Sequence, residues 1–142
     1  MQINMHVAEI RGAADLARFI LGRYSGKVVE VGAGGATEVA ARLNKHLEIL
    51  ATDKINLDNG RIKVIADDIF SPQKEIYEGA CLLYSIRPPL EMQLAMGRLA
   101  SDLASEVIVR PLGDEVAQLS GFDRTLINFG QARFYLFTRR TL

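Results

Sequence analysis

The chain contains one cysteine, no tryptophan, two histidines and no excess charge of either sign. With Cys81 alone, an intramolecular disulfide is excluded, and its place in an apolar run predicts a buried thiol in a reducing compartment. His6 and His46 neither cluster with cysteine nor fall at predicted strand ends, so no metal site is expected. Lysine plus arginine (17) balance aspartate plus glutamate (17), so net charge does not point to nucleic acid and leaves room only for a local basic patch. No apolar run is long enough to span a bilayer, and the N-terminus lacks the charged-then-apolar layout of a signal peptide. A soluble, cytoplasmic protein with no membrane partner is expected. The 142 residues suffice for one domain with a real core but leave no room for a separate substrate domain.

What is present is organised around residues 27–36, Lys-Val-Val-Glu-Val-Gly-Ala-Gly-Gly-Ala. Val28, Val29 and Val31 are β-branched, and a near-continuous apolar run suits a parallel strand covered on both faces. Gly32 and Gly34 permit a tight turn whose backbone can approach a ligand closely. A helix entered at residues 36–37 and reaching residue 43 turns its positive end to the same space.

Along the chain, a helix is predicted over 8–24, stopped by Ser25-Gly26. Further strands are predicted over 48–52, 62–66, 80–84 and 106–110. Residues 54–61 are short for a crossover between parallel strands, and Asn59-Gly60 can instead close a hairpin. The alternation needed for two half-exposed strands is poor, which favours parallel strands with a trimmed connection. A short helix is expected over 71–77. A longer one follows Pro89 to about residue 103, with Leu90, Leu94, Leu99 and Leu103 as its inward stripe. Residues 114–119 read as a further short helix. Residues 125–129 and 132–137, rich in aromatics and separated by Gly130-Gln131, read as an antiparallel hairpin.

In an open α/β sheet, ligands bind beyond the carboxyl ends of the strands, where the strand order switches. Asp53 ends the second predicted strand about twenty residues after the glycine turn, the place for a carboxylate that accepts from ribose hydroxyls. Asp67 and Asp68 end the third, placed to accept from an exocyclic amine such as that of adenine. Alternatively, Asp53 is a helix cap or a solvated loop acid, Asp67-Asp68 caps the helix near Pro72, and Glu30 pairs with a basic residue across the core. The glycine pattern departs from the dinucleotide fingerprint, since Thr37 stands where its third glycine belongs. A buried acid at Glu30 can compensate a cationic, amine-bearing group beneath the glycine loop, directly or through water.

With these residues the chain resembles the Rossmann-like S-adenosylmethionine-dependent methyltransferases, whose first motif is an acid followed by x-Gly-x-Gly-x-Gly. Here it reads from Glu30 through Gly32, Ala33 and Gly34 to Ala36, which replaces the last glycine. The resemblance covers roughly residues 5–140. It implies a three-layer α/β fold with a mostly parallel sheet and a C-terminal antiparallel hairpin. It also implies S-adenosylmethionine as cofactor, bound by Glu30, Gly32, Ala33, Gly34, Asp53, Lys54, Asp67, Asp68, Ile69 and Ser85. The brevity and the loop Ser85-Ile86-Arg87-Pro88-Pro89 are similar to an uncharacterised archaeal family of minimal methyltransferase-like proteins, which implies no particular acceptor. Amino-directed methyltransferases carry Asn or Asp, then Pro-Pro and an aromatic, in that loop, whereas this chain has Arg87-Pro88-Pro89-Leu90. Arg87 can hold a substrate phosphate or carboxylate, or pair with Glu91 one helical turn on. No general base is evident. The readings carried forward are a methyltransferase, a non-catalytic cofactor-binding or regulatory module of the same fold, and a nicotinamide-dependent enzyme. A homo-oligomer is compatible with each.

Overall fold

The computed structural model describes residues 10–34, 37–58 and 62–141. His6, the start of the first predicted helix, Gly35-Ala36 and Asn59-Gly60 lie outside the described residues. Elements run in the order α1 (Ala13–Arg23), β1 (Lys27–Val31), α2 (Glu38–Leu43), β2 (Ile49–Asp53), β3 (Leu57–Asp58), β4 (Lys63–Ala66), α3 (Lys74–Tyr77), β5 (Ala80–Ile86), α4 (Leu90–Leu103), β6 (Glu106–Arg110), β7 (Phe122–Phe129) and β8 (Ala132–Arg139).

The strands form one sheet in the order β3-β4-β2-β1-β5-β6-β8-β7. Strands β4, β2, β1, β5 and β6 are parallel, and β8 and β7 close the far edge as an antiparallel hairpin. The α/β fold class and the terminal hairpin are as expected. The chain leaves β1 toward β2 and returns to β5 on the other side, so the strand order switches between β1 and β5. The parallel strands end along one edge at Ala66, Asp53, Val31, Ile86 and Arg110.

Side chains alternate between two cores, as strand geometry requires. Val28, Leu82, Tyr84 and Ile108 pack with α1 and α2, while Val29, Val31, Leu83, Val107 and Val109 pack with α3 and α4. Helix α1 is seated against the hairpin turn. Gly12, at φ +83°, packs so closely that a Cβ there would stand 2.6 Å from the backbone of Ala132, and Gln131 N–H donates to Asp15 Oδ2 at 2.8 Å.

Several local expectations are corrected. Between β2 and β4 the chain does both things the sequence offers: β2 and β4 are parallel, and the connection adds the two-residue β3, antiparallel to β4. The helix expected over 71–77 is the single turn α3, and the one expected over 114–119 is a loop. In α4, Leu90 and Leu94 are exposed, and the inward face is Gln93, Met96, Leu99 and Ala100. The leucine stripe mixed two faces, because the five-residue step from Leu94 to Leu99 turns a helix about 140° away from its starting row. Gln93 takes the inward position with every polar atom engaged. Its Nε2 donates to Pro88 O (3.0 Å) and Glu115 O (2.9 Å), and its Oε1 accepts from Ala117 N–H at 2.8 Å. Those bonds hold residues 115–117 in the extended path of a loop.

Candidate functional site

The glycine turn forms because β1 ends at Val31 with two left-handed residues to follow, Gly32 at φ +67° and Gly34 at φ +54°. Between them, Ala33 N–H donates to Thr52 O at 2.9 Å and the Ala33 side chain is buried in the α1–α2 core. Ala33 therefore ties the turn to β2 and to the core behind it. Helix α2 begins at Glu38, later than expected, and its first turn carries an acid paired with Arg42 at 3.2 Å.

Beside the turn lies an open cleft with about 310 Å³ of atom-free space. Val31, Gly32 and Met92 line one side, Thr52, Asp53 and Lys54 the floor, and Asp67 to Phe70 the other side. Asp53 is half-buried, and its Oδ1 accepts from Lys54 N–H at 2.8 Å. Its Oδ2 faces the turn, only 3.7 Å from where a Cβ on Gly34 would stand. The two adjacent acids at the end of β4 differ in kind. Asp67 is buried and spends both oxygens inside the protein: Oδ1 accepts from Gln73 N–H at 3.0 Å and Oδ2 from the Tyr77 hydroxyl at 2.5 Å. Burial, then the Asp67 hydrogen bond, raises the Tyr77 pKa above its ordinary value, so the phenol remains a donor. Asp68 is exposed, and among the described residues only its Oδ1 is engaged, accepting from Phe70 N–H at 2.9 Å. Ile69, the next residue, is buried, and Phe70 is exposed at the rim.

Glu30 does not line the cleft. It lies beneath the turn, 1% exposed, and its Oε1 accepts from the Tyr84 hydroxyl at 2.6 Å. Burial, partly offset by that hydrogen bond, pushes its pKa up to about 8, so the group is a neutral acid at pH 7. Among the described residues it forms no ion pair with a basic side chain. Glu30 instead supports the turn from the core.

Ser85 also lies behind the cleft wall, where its hydroxyl donates to Val31 O at 2.6 Å. The thioether of Met92 fills the space above Gly32, with Cε 3.0 Å and Sδ 3.1 Å from an imagined Cβ there. Arg87 is the first residue after β5. Its φ is +55°, a left-handed conformation that costs a non-glycine residue about 1–3 kcal/mol. Arg87 N–H donates to Arg110 O at 2.7 Å, and its exposed side chain pairs with no acid among the described residues, Glu91 included. It does not line the cleft; it stands farther along the same edge, beside Arg110. Partial burial, then the charge of Arg87, lowers the Arg110 pKa below its ordinary value.

Tyr77, Phe70, Met92, Gln93 and Arg110 were not foreseen as parts of this edge. For Arg110 a signal existed, since it is the carboxyl end of a predicted strand. The bonds of Tyr77 and Gln93 span chain separations that no local pattern records. Among the described residues, no three His, Cys, Asp or Glu side chains are grouped to hold a metal ion, and no helix is long and apolar enough to cross a membrane.

The fold is shared with solved methyltransferases. An S-adenosyl-L-methionine methyl transferase from Silicibacter pomeroyi superposes with TM-score 0.58 over 90% of each chain at 18% identity. An rRNA methylase from Streptococcus thermophilus superposes with TM-score 0.59, covering 89% of this chain and 95% of that one at 11% identity. In sequence, a UPF0146 protein of Methanothermobacter thermautotrophicus is 40% identical over 127 residues, 85% of this chain and 91% of its own. One from Archaeoglobus fulgidus is 35% identical over 127 residues, 87% of this chain and 93% of its own. The family description "Uncharacterised protein family (UPF0146)" matches residues 13–139, and the chain, with its archaeal relatives and its methyltransferase-like α/β fold, belongs to that family.

Proposed function

We propose that the cleft binds S-adenosylmethionine and that the protein is a methyltransferase acting on an acceptor placed beyond the end of β5. One observation carries the reading: Asp53 Oδ2 accepts no hydrogen bond among the described residues and stands 3.7 Å from the Cβ position of Gly34, at the switch in strand order. A carboxylate held there is suited to a ribose diol, and the missing side chain at Gly34 lets the ligand approach the backbone. Asp68, with one oxygen uncommitted, is the acid for the adenine amine. Asp67 shapes that wall through Tyr77 and Gln73, Ile69 supplies an apolar surface, and Lys54 stands at the ribose edge. Gly32 lies under the methionine half of the cofactor. Glu30, Ala33 and Ser85 hold the turn in place from behind. S-adenosylmethionine supplies an electrophilic methyl group, and the protein's part is to align the acceptor and exclude water. The cytoplasm is the proposed compartment.

Calorimetry with S-adenosylmethionine, S-adenosylhomocysteine and NAD tests the cofactor. Saturable heat with either sulfur compound and none with NAD is the expected result. NAD binding alone rejects the proposal in favour of a nicotinamide enzyme. Transfer of labelled methyl from the cofactor to a fractionated cell extract tests the reaction. A second reading, a non-catalytic cofactor-binding module, is favoured by Met92, whose thioether fills the space over Gly32. Cofactor binding without transfer to any fraction selects it.

A further inference from the structure

We infer that Arg87 and Arg110 form an anion site beside the cleft and that the acceptor is a small molecule bearing a phosphate monoester. The inference rests on the reading of the cleft as a cofactor site, because that reading puts the acceptor on this side of the switch.

The two arginines meet because β5 and β6 are parallel neighbours. Ile86 stands in register with Arg110, so Arg87 is the first residue beyond β5 and Arg110 the last of β6. The bond from Arg87 N–H to Arg110 O ties the two residues together at the carboxyl edge. Neither guanidinium takes part in an ion pair among the described residues, whereas Arg18, Arg23, Arg42, Lys74 and Arg140 each do. Arg110 is half-buried, and among the described residues its side chain makes one hydrogen bond, from Nη1 to Pro111 O at 3.1 Å. A guanidinium carries five N–H donors in a planar fork, so most of its capacity is unspent. Their closeness is felt electrostatically, since the charge of Arg87 adds to burial in lowering the Arg110 pKa. Two like charges, one partly desolvated, are stabilised by an anion between them.

The scaffold is stiff. Buried Gln93 binds Pro88 O on the loop after β5 and both Glu115 O and Ala117 N–H on the loop after β6. The loop that begins with Arg87 and the loop that follows Arg110 are therefore latched to one side chain. The acid nearest in sequence, Glu91, makes no ion pair with either arginine among the described residues.

Charge selects the ligand class. A carboxylate is served by one bidentate arginine, while a phosphate monoester carries about −1.5 to −2 near pH 7 and matches two. A nucleic acid backbone presents one charge per phosphate and calls for a basic stripe. Here the other half of the edge carries Asp53, Asp67 and Asp68, and the whole chain has no net charge. A phosphate anchored at the arginines lets the rest of a small acceptor extend along the carboxyl edge of the sheet toward the cleft.

The test is titration of the full-length protein with inorganic phosphate, ribose 5-phosphate, ribose and a short single-stranded RNA, followed by calorimetry and arginine side-chain NMR. Inorganic phosphate and ribose 5-phosphate are expected to bind saturably at one site, ribose not at all. Arg87→Gln, at an exposed position that leaves packing intact, weakens ribose 5-phosphate at least tenfold. Arg110→Gln does the same, and the double substitution removes binding, with S-adenosylhomocysteine affinity unchanged. Arg139→Gln, at the distal end of β8, has no effect. No saturable phosphate binding, or binding indifferent to Arg87→Gln, overturns the inference. RNA binding that exceeds ribose 5-phosphate and tightens with length overturns the small-molecule assignment. S-adenosylhomocysteine binding without phosphate binding sinks the anion site alone, whereas phosphate binding without S-adenosylhomocysteine sinks the cofactor reading and keeps the anion site.

Discussion

Tyr84 and Glu30 stand opposite each other on adjacent parallel strands, and the phenol donates to the carboxyl at 2.6 Å in a fully buried pair. The carboxyl pKa is raised by burial from 4.5 to about 8. Between these values the unfolded chain has released this proton while the folded chain retains it. This contribution to stability is complete below about pH 4.5 and is lost as pH rises through 8. Glu30→Gln keeps the shape and an acceptor for Tyr84 but cannot ionise. Urea unfolding from pH 5 to 9 should show the native protein losing a few kcal/mol relative to the variant. Parallel curves for the two proteins would contradict a neutral Glu30.

Asp53→Ala should weaken S-adenosylhomocysteine binding without unfolding the chain. A charge-assisted hydrogen bond is worth about 1.5–3 kcal/mol, which is roughly a 10- to 150-fold loss of affinity. Calorimetry reads the loss and thermal melting checks the fold. Unchanged affinity would place Asp53 outside the ligand's reach.

Gly34→Val should abolish binding. A β-branched residue is poorly tolerated at φ +54°, and its methyl groups would crowd Asp53 Oδ2. A destabilisation of about 1–2 kcal/mol is expected from the backbone alone. Native affinity in a folded variant would show that the turn does not touch the ligand.

Met92→Ala clears the space above Gly32. S-adenosylhomocysteine affinity should rise severalfold, at some loss in melting temperature from the removed packing. A fall in affinity would make Met92 part of the binding wall instead of an obstacle to it.

Gln93→Leu leaves Pro88 O, Glu115 O and Ala117 N–H without their partner. Pro88 is buried, whereas Glu115 is exposed and Ala117 half-buried, so the loss centres on Pro88 O and should reach about 1–3 kcal/mol. Denaturant titration with an unchanged slope measures it. A variant within 0.5 kcal/mol of native, roughly the spread of ordinary surface substitutions, would show that the two loops do not depend on Gln93.

The strand ends were legible because β-branched runs stop at recognisable breaks, and Val31, Asp53 and Asp67 follow from where those runs stop. The hairpin was legible in its aromatics but not in its length, because Asp123 and Arg124 carry no strand signal. Residues whose partners lie far off in sequence escaped. Glu30 reads as an acid open to a ligand or a basic partner, and the bond it receives from Tyr84, 54 residues away, leaves no local trace. Residues 114–119 read as a helix until Gln93 captures their backbone. The phase of α4 was misjudged because leucine was weighed above a glutamine that could be satisfied in the core.

The seating of α1 on the hairpin turn also bears on how the protein is made. The bond from Gln131 N–H to Asp15 joins residues 116 positions apart, and the packing of Gly12 against Ala132 is as long in range. The first described helix cannot reach its final position until the last hairpin has left the ribosome. Such long-range closures slow folding and leave apolar surface exposed meanwhile. The α1–α2 core is thus the last to close during synthesis. Loss of the hairpin in a truncated chain would leave α1 without its seat and Phe19 without its partners Phe129 and Phe134.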